Sequence, residues 1–155
     1  MPNEDAVMAA LSSNLHEPAF YLFPGEGMES GKPTEEQMRR WQEKYRRGPT
    51  GVIVFQPSGR EFGPGLFLTE LAGDIAGALL AAFLFAAAVG SLSSFVTRVL
   101  FVGAWSLVAS ADVQVSYWNW YRFPTNYTLA TVADGFIGWL LVGAVLALII
   151  KPEAR

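Results

Sequence analysis

The strongest constraint on the fold is an apolar run at residues 66–90, LFLTELAGDIAGALLAAFLFAAAVG, which from residue 75 onward contains neither a charge nor a proline. An α-helix rises about 1.5 Å per residue, so a helix of this length can cross a hydrocarbon core about 30 Å thick. Residues 95–115 and 129–150 are long and apolar enough to do the same. The sequence therefore predicts three transmembrane helices.

Charged residues are concentrated before the first predicted span. Most of the 11 Lys and Arg residues lie before residue 61, and after residue 66 only Arg98, Arg122, Lys151 and Arg155 remain. The net charge of −3 is too small to indicate a nucleic-acid partner. We predict an α-helical membrane protein with a small N-terminal α/β extramembrane domain at residues 1–65, three transmembrane helices at 66–90, 95–115 and 129–150, and a polar tail at 151–155.

The N-terminal domain has its own helix and strand signals. The pattern predicts a helix over 2–14 with Asn3 as its N-cap, and strands over 19–23 and 52–55. Glycine content predicts a loop over 25–33. Thr34 and Gln37 form a capping-box pattern that begins a helix over 34–47. The order strand, helix, strand indicates a small unit with a two-stranded sheet.

The composition excludes several kinds of chemistry. The chain contains no cysteine, which excludes disulfides, thiolate nucleophiles and Cys-based metal sites. It contains a single histidine, His16, which excludes a His-cluster metal site. We predict no cofactor, no metal and no catalytic residue, and we expect that the protein is not an enzyme. The first 15 residues lack the basic start and apolar run of a secretory signal.

Small residues recur within two of the predicted spans. Gly73 and Gly77 form a GxxxG pattern that Ala81 continues, and the third span contains Gly135, Gly138 and Gly143. Small residues let helix backbones approach closely in lipid. We predict helix packing at these positions, and we favour packing within the chain over dimerisation.

Residues 116–126, SYWNWYRFPTN, form the most unusual stretch. Trp and Tyr favour the membrane interface, where the apolar ring is buried and the polar edge stays wet. We predict an aromatic belt made of Tyr117, Trp118, Trp120, Tyr121, Phe123 and Tyr127. The alternative is a shallow site for a lipid, a pigment or a quinone-like ligand, using Asn119 and Arg122.

Three spans that alternate in direction place most polar groups on one side of the membrane. The predicted cluster at that interface consists of Glu70, Asp74, Asp112, Asn119, Arg122 and Asp134. Acids at membrane depth are costly and face a cavity, a partner or each other. The favoured interpretation is that they bond to Arg60, to Arg122 or to the N-terminal domain. The alternative is an ion or proton entry site where Glu70, Asp74 and Asp134 converge.

Several phrases together resemble an uncharacterised family of small bacterial integral membrane proteins. They are Pro2-Asn3-Glu4, EPAFYLFPG at 17–25, EEQMRRWQEKYRRGPTG at 35–51, LTELAGDI at 68–75 and YWNWYRFP at 117–124, with the third span. The resemblance covers nearly the whole chain. It implies a multi-pass fold and a location in the bacterial inner membrane, and it implies no activity, cofactor or catalytic residue.

Similar proteins begin with a further apolar segment that runs into the equivalent of Pro2-Asn3-Glu4, and we expect this segment to be missing here. With it the fold would have four spans, and the N-terminal domain would lie outside the cytoplasm. The overall distribution of Lys and Arg favours the cytoplasm instead. Arg98 and Lys151, which flank the spans directly, favour the outside. We expect the domain to be extracytoplasmic.

The leading expectation for function is a structural or accessory subunit of a membrane complex. Its partners would be the lipid bilayer and either other membrane subunits or a second copy of the chain. One alternative is a small oligomeric transporter of an ion or solute that uses acids at the membrane interface. A further alternative is a binder of a lipid or a quinone-type ligand.

Overall fold

The chain separates into two compact units, Met1–Glu61 and Phe62–Arg155. A computed structural model describes residues 1–25 and 32–152. Most of the predicted loop at 25–33 and the end of the predicted tail therefore lie outside the described residues. The first unit contains α1 (Glu4–Asn14), β1 (Ala19–Phe23), α2 (Glu35–Arg47) and β2 (Gly51–Phe55). The second contains α3 (Pro64–Ala88), a 3-10 turn (Val89–Ser91), α4 (Phe95–Trp120) and α5 (Thr125–Ile149).

Helix α2 begins with the predicted capping box. The Gln37 backbone N–H donates to Thr34 Oγ1 at 3.2 Å, and the Thr34 backbone N–H donates to Gln37 Oε1 at 2.8 Å. Acidic residues occupy the first turn and basic residues the last, as the helix dipole favours. The helix ends at Gly48, whose φ of 65° suits glycine. The sequence-based interpretation of this helix is confirmed.

Helix α1 begins in a different way from the prediction. Asn3 is the N-cap residue, but its backbone is left-handed and its side chain makes no capping hydrogen bond. The Val7 backbone N–H donates to the Asn3 carbonyl oxygen instead, at 3.4 Å. Asparagine tolerates the left-handed conformation, so Asn3 serves the helix start through its backbone.

The two strands form an antiparallel sheet in which Tyr21 pairs with Ile53 and Phe23 with Gly51. These four residues share one face and are half-buried, whereas Val54 on the other face is 78% exposed. The Phe23 ring lies over Gly51, where an added Cβ would approach its Cζ to 2.9 Å. None of the described residues of this unit is fully buried.

A tryptophan links α2 to the end of β1. Trp41 Nε1 donates to the Pro24 carbonyl oxygen at 3.1 Å and is partly buried. Its ring lies 5.3 Å from that of Tyr45, measured between centroids. The hydrogen bond from Trp41 therefore connects α2 to the residue that directly follows β1.

Helices α4 and α5 form an antiparallel hairpin whose backbones approach closely. A Cβ built on Gly143 would lie 2.9 Å from the Val99 carbonyl oxygen and 3.0 Å from Val102 Cβ. On the opposite helix, a Cβ on Gly103 would lie 2.6 Å from Leu140 Cδ2. Each glycine therefore leaves space for atoms of the other helix, and the two close contacts fix the register of α4 against α5.

Helix α3 joins this hairpin through its carboxyl-terminal part. Phe85 and Val89 are buried in one cluster with Val102 of α4 and Ala147 of α5. Ala81 is also buried, whereas all but one of the residues from 64 to 80 are exposed. The core of the second unit therefore lies near one end of the three helices.

Three stretches are long and apolar enough to cross a membrane: Pro64–Ser91, Phe95–Trp120 and Thr125–Ile149. They confirm the predicted number of long apolar helices. Helix α4 continues past the predicted end of the second span at residue 115, because Asp112 and Gln114 do not interrupt it, and it ends at Trp120. Helix α5 begins at Thr125, directly after Pro124 and four residues before the predicted start of the third span.

Arg98, the charge inside the second predicted span, lies near the start of α4. Its Nε donates to the Leu92 carbonyl oxygen at 3.2 Å. Ser94 begins the helix by accepting from the Thr97 backbone N–H at 3.1 Å. The guanidinium is thus held at the amino-terminal end of α4.

Substituting Thr34→Ala removes one half of the capping box and should lower the free energy of unfolding of α2 by about 1 kcal/mol. Hydrogen exchange of the α2 amides, measured on the full-length protein, reports this change as faster exchange. Ser58→Ala is the matched control, because Ser58 is exposed and makes no hydrogen bond to a described residue. Equal exchange rates in the Thr34 variant and the wild type would contradict the prediction.

Substituting Gly143→Ala should destabilise the α4–α5 hairpin by about 1–3 kcal/mol, because the carbonyl of Val99 cannot rotate away from the new methyl group. Gly103→Ala should cost less, since the Leu140 side chain can move. Thermal unfolding in detergent measures both. The control Gly138→Ala adds its methyl group in open space and should not lower the midpoint. An equal drop in the unfolding midpoint of the Gly138 and Gly143 variants would refute the close contact at Gly143.

Candidate functional site

The turn between α4 and α5 is closed by backbone hydrogen bonds. The N–H groups of Tyr121 and Phe123 both donate to the Tyr117 carbonyl oxygen, each at 3.2 Å. Between them Arg122 has a φ of 60°, in the left-handed region. For a residue other than glycine this conformation costs about 1–2 kcal/mol. Backbone preference alone would therefore not select an arginine at this position.

The predicted aromatic residues divide into two groups around this turn. Tyr117 packs against Tyr121 and Phe123 with ring centroids 5.6 and 5.2 Å apart, and Phe123 packs against Tyr127 at 5.6 Å. This chain of rings joins the end of α4 to the start of α5. Trp120 is 71% exposed, which suits a residue that faces the surroundings of the protein.

Trp118 lines a pocket at the turn. Its indole Nε1 donates to Thr125 Oγ1 at 3.0 Å, across the turn from α4 to α5. The pocket has a volume of about 280 Å³. Its lining residues are Trp118, Asn119, Arg122, Phe123, Pro124 and Thr125. We call it the turn pocket.

The turn pocket contains residues of the predicted polar cluster and of the predicted aromatic belt, which the sequence analysis had also combined in its alternative ligand site. Asn119 and Arg122 came from the polar cluster, and Trp118 and Phe123 from the aromatic belt. Pro124 and Thr125 were missed, because the sequence predicted that the third helix begins four residues later. The proline was the available signal, since it is a favourable residue immediately before or at a helix start.

The acids of α3 lie on the face of the helix that is buried nearer its carboxyl end, at Ala81 and Phe85. Residues separated by four or seven positions share a face of an α-helix. Gly77 and Asp74 lie four and seven residues before Ala81, and Glu70 lies seven before Gly77. Ala81 is 3% exposed and Phe85, four residues on, is 0% exposed.

We call Glu70, Asp74 and Gly77 the acidic stripe. All three residues are exposed, although they continue the face through which α3 packs on the hairpin. No neighbouring element comes within 4 Å of the Cβ position of Gly77. Neither carboxylate makes an ion pair or a hydrogen bond with a described residue.

The other two predicted acids face away from the hairpin contact. Asp112 follows Gly103 by nine residues and Asp134 precedes Gly143 by nine, which is two and a half helical turns in each case. Both carboxylates are therefore opposite the glycine of their own helix that meets the other helix. No described contact brings Asp134 to Glu70 and Asp74.

The depth of the acids is similar on all three helices. Asp74, Asp112 and Asp134 each lie about 15–17 residues, or about 23–26 Å, from the far end of their helix or its 3-10 extension. A helix that crosses a hydrocarbon core about 30 Å thick from that far end would have its acid within about one turn of the opposite interface. Among the described residues, no group of three or more His, Cys, Asp and Glu is placed to hold a metal ion.

The predicted packing glycines also differ from one another. Gly143 makes the close contact described above, and Ala81 is buried. Gly73, Gly77, Gly135 and Gly138 have no neighbouring atom within 4 Å of their Cβ positions. For these four, packing within the chain does not occur among the described residues. Gly103 makes a close contact that the sequence analysis missed, although it is a small residue in an apolar helix like the others.

No family model, no curated protein and no solved structure matches the chain. The resemblance to small bacterial membrane proteins therefore stays a prediction. Function has to be inferred from the acidic stripe and the turn pocket.

Proposed function

We propose that the protein is a subunit of a membrane assembly and that α3 joins it to another membrane helix along the acidic stripe. The observation that supports this is the change along one face of α3. Phe85 is buried against the hairpin and Ala81 is also buried, whereas Asp74 and Gly77 on the same face have no partner among the described residues.

The free-energy cost of leaving the two carboxylates unpaired at membrane depth favours an external partner. Apolar side chains lose little by facing lipid, so an exposed Leu79 needs no explanation. An acid at membrane depth is costly unless it is paired or hydrated. Glu70 and Asp74 are one turn apart and present two acceptors to the same neighbour. The partner helix would supply Lys, Arg or amide donors at this level.

Gly77 supplies the space that such a helix needs. With no side chain, the α3 backbone can be approached closely from this side, and close approach increases van der Waals contact in lipid. The partner is either a different subunit or a second copy of this chain.

A bulky side chain at Gly77 should block the association. The tagged wild type, extracted from its native membrane with a gentle detergent, is expected to bring a stoichiometric membrane polypeptide or to run as a homo-oligomer. Gly77→Leu should reduce that association about tenfold or more. Gly138→Leu, at a glycine of α5 with open space around it, is the matched control. A monomeric wild type with nothing bound would overturn the proposal, and so would equal behaviour of the two variants.

The double variant Glu70→Gln, Asp74→Asn separates this function from transport. Unchanged ion flux in vesicles with lost association supports an assembly role. Lost flux with intact association would support a transporter instead, using the two acids of α3.

We further propose that the protein is a multi-pass component of a bacterial inner membrane with its N-terminal unit outside the cytoplasm. Arg98 and Lys151, at the ends opposite the turn pocket, support this orientation through the positive-inside rule.

The chain has no cysteine, so single introduced cysteines test this orientation cleanly. In spheroplasts, a membrane-impermeant maleimide should label Ser58→Cys at once and Lys151→Cys only after permeabilisation. Both residues are exposed. The reverse pattern would place the N-terminal unit in the cytoplasm.

A further inference from the structure

The turn pocket contains a cation without a counter-charge. No acidic residue lines it, and Arg122 makes no ion pair with any described residue. The acids of its own two helices, Asp112 and Asp134, are each at least ten residues away along the chain. A guanidinium is a planar set of five donors that matches the oxygens of carboxylate and phosphate groups.

The other polar groups of the pocket add donors beside the guanidinium. Asn119 has an amide NH₂ group, and the hydroxyl of Thr125 accepts from Trp118 Nε1 and so keeps its own proton to donate. The first N–H groups of α5 point out of this end of the helix and have no side-chain cap, so they are further donors. The set as a whole suits an anion that is rich in acceptors.

The walls and the volume of the pocket narrow the class of ligand. Trp118, Phe123 and Pro124 give it apolar walls next to the donors. A volume of about 280 Å³ is slightly below the roughly 300–1,000 Å³ of pockets that enclose a whole drug-sized ligand. The pocket fits a small charged group whose apolar remainder stays outside. Exposed Trp120 and Tyr127 flank the turn with the ring types that favour the lipid interface.

The backbone at Arg122 supports a role for its side chain. Glycine or asparagine would adopt a φ of 60° at lower cost, whereas an arginine at this position adds a cationic residue to the lining of the pocket. We propose that the turn pocket binds a phosphate group, the phosphodiester of an anionic lipid headgroup or a soluble phosphate, with Arg122 as its principal ligand.

The test measures lipid retention by the full-length protein with native mass spectrometry after addition of phosphatidylglycerol or phosphatidylcholine. The wild type should retain phosphatidylglycerol preferentially, and Arg122→Gln should weaken that retention about tenfold, the size expected for loss of one hydrogen-bonded charge. Arg60→Gln removes the same charge from the other unit and should change nothing. Arg122→Lys should restore part of the binding.

One further variant and one further probe keep the outcomes distinct. Arg122→Gly suits the left-handed backbone, so it should fold at least as well as the wild type and still lose the lipid. Inorganic phosphate that displaces phosphatidylglycerol at millimolar concentration would assign the site to soluble phosphate. Phosphate that fails to displace it would assign the site to the lipid. Equal retention of both lipids, or equal effects at residues 60 and 122, would overturn the proposal.

Discussion

The contact on which the second unit depends is the approach of the α4 and α5 backbones at Gly143. The Val99 carbonyl oxygen lies only 2.9 Å from the position that a Cβ on residue 143 would take. This approach fixes the register of the two helices, and the register in turn sets Trp105 edge-on to Trp139, with centroids 6.0 Å apart. At the other end of the hairpin it places Trp118 over Thr125. The turn pocket therefore lies at the opposite end of the hairpin from this contact between glycine and backbone.

Helix α3 is held in a different way. It is anchored by Phe85 and Val89 near its carboxyl end and is exposed through most of its length. In water such a helix would be unstable, but in lipid its apolar residues lose little by lacking a protein neighbour. The two acids are the exception, because lipid solvates them poorly. The face through which α3 packs on the hairpin is therefore also the face with the two acids that lack a partner among the described residues.

Local signals in the sequence predicted local structure well. The capping box at Thr34, strand β1 and the three long apolar helices follow from patterns within single segments. The same local signals did not predict which of the glycines makes a close contact with another helix. Small-residue spacing marks a face that can be approached, and only the tertiary arrangement decides that Gly143 is approached and Gly77 is not.

The candidate sites show the same limit. Asn119 and Arg122 were selected by residue type and position, but the pocket around them depends on the late end of α4 and the early start of α5. The left-handed backbone of Arg122 has no signature in the sequence, because most left-handed positions are taken by glycine or asparagine. Hydropathy likewise carried no information on which acids would face the hairpin and which would face away.

The four-residue turn between α4 and α5 also bears on how the chain enters a bilayer during synthesis. α4 is the least apolar of the three long helices and contains Arg98 and Asp112, whereas α5 is the most apolar. A turn this short leaves too little chain for one helix to cross the membrane while the other stays behind. A bilayer would therefore take up the two helices as a hairpin, in which the favourable transfer of α5 would offset the poor transfer of α4.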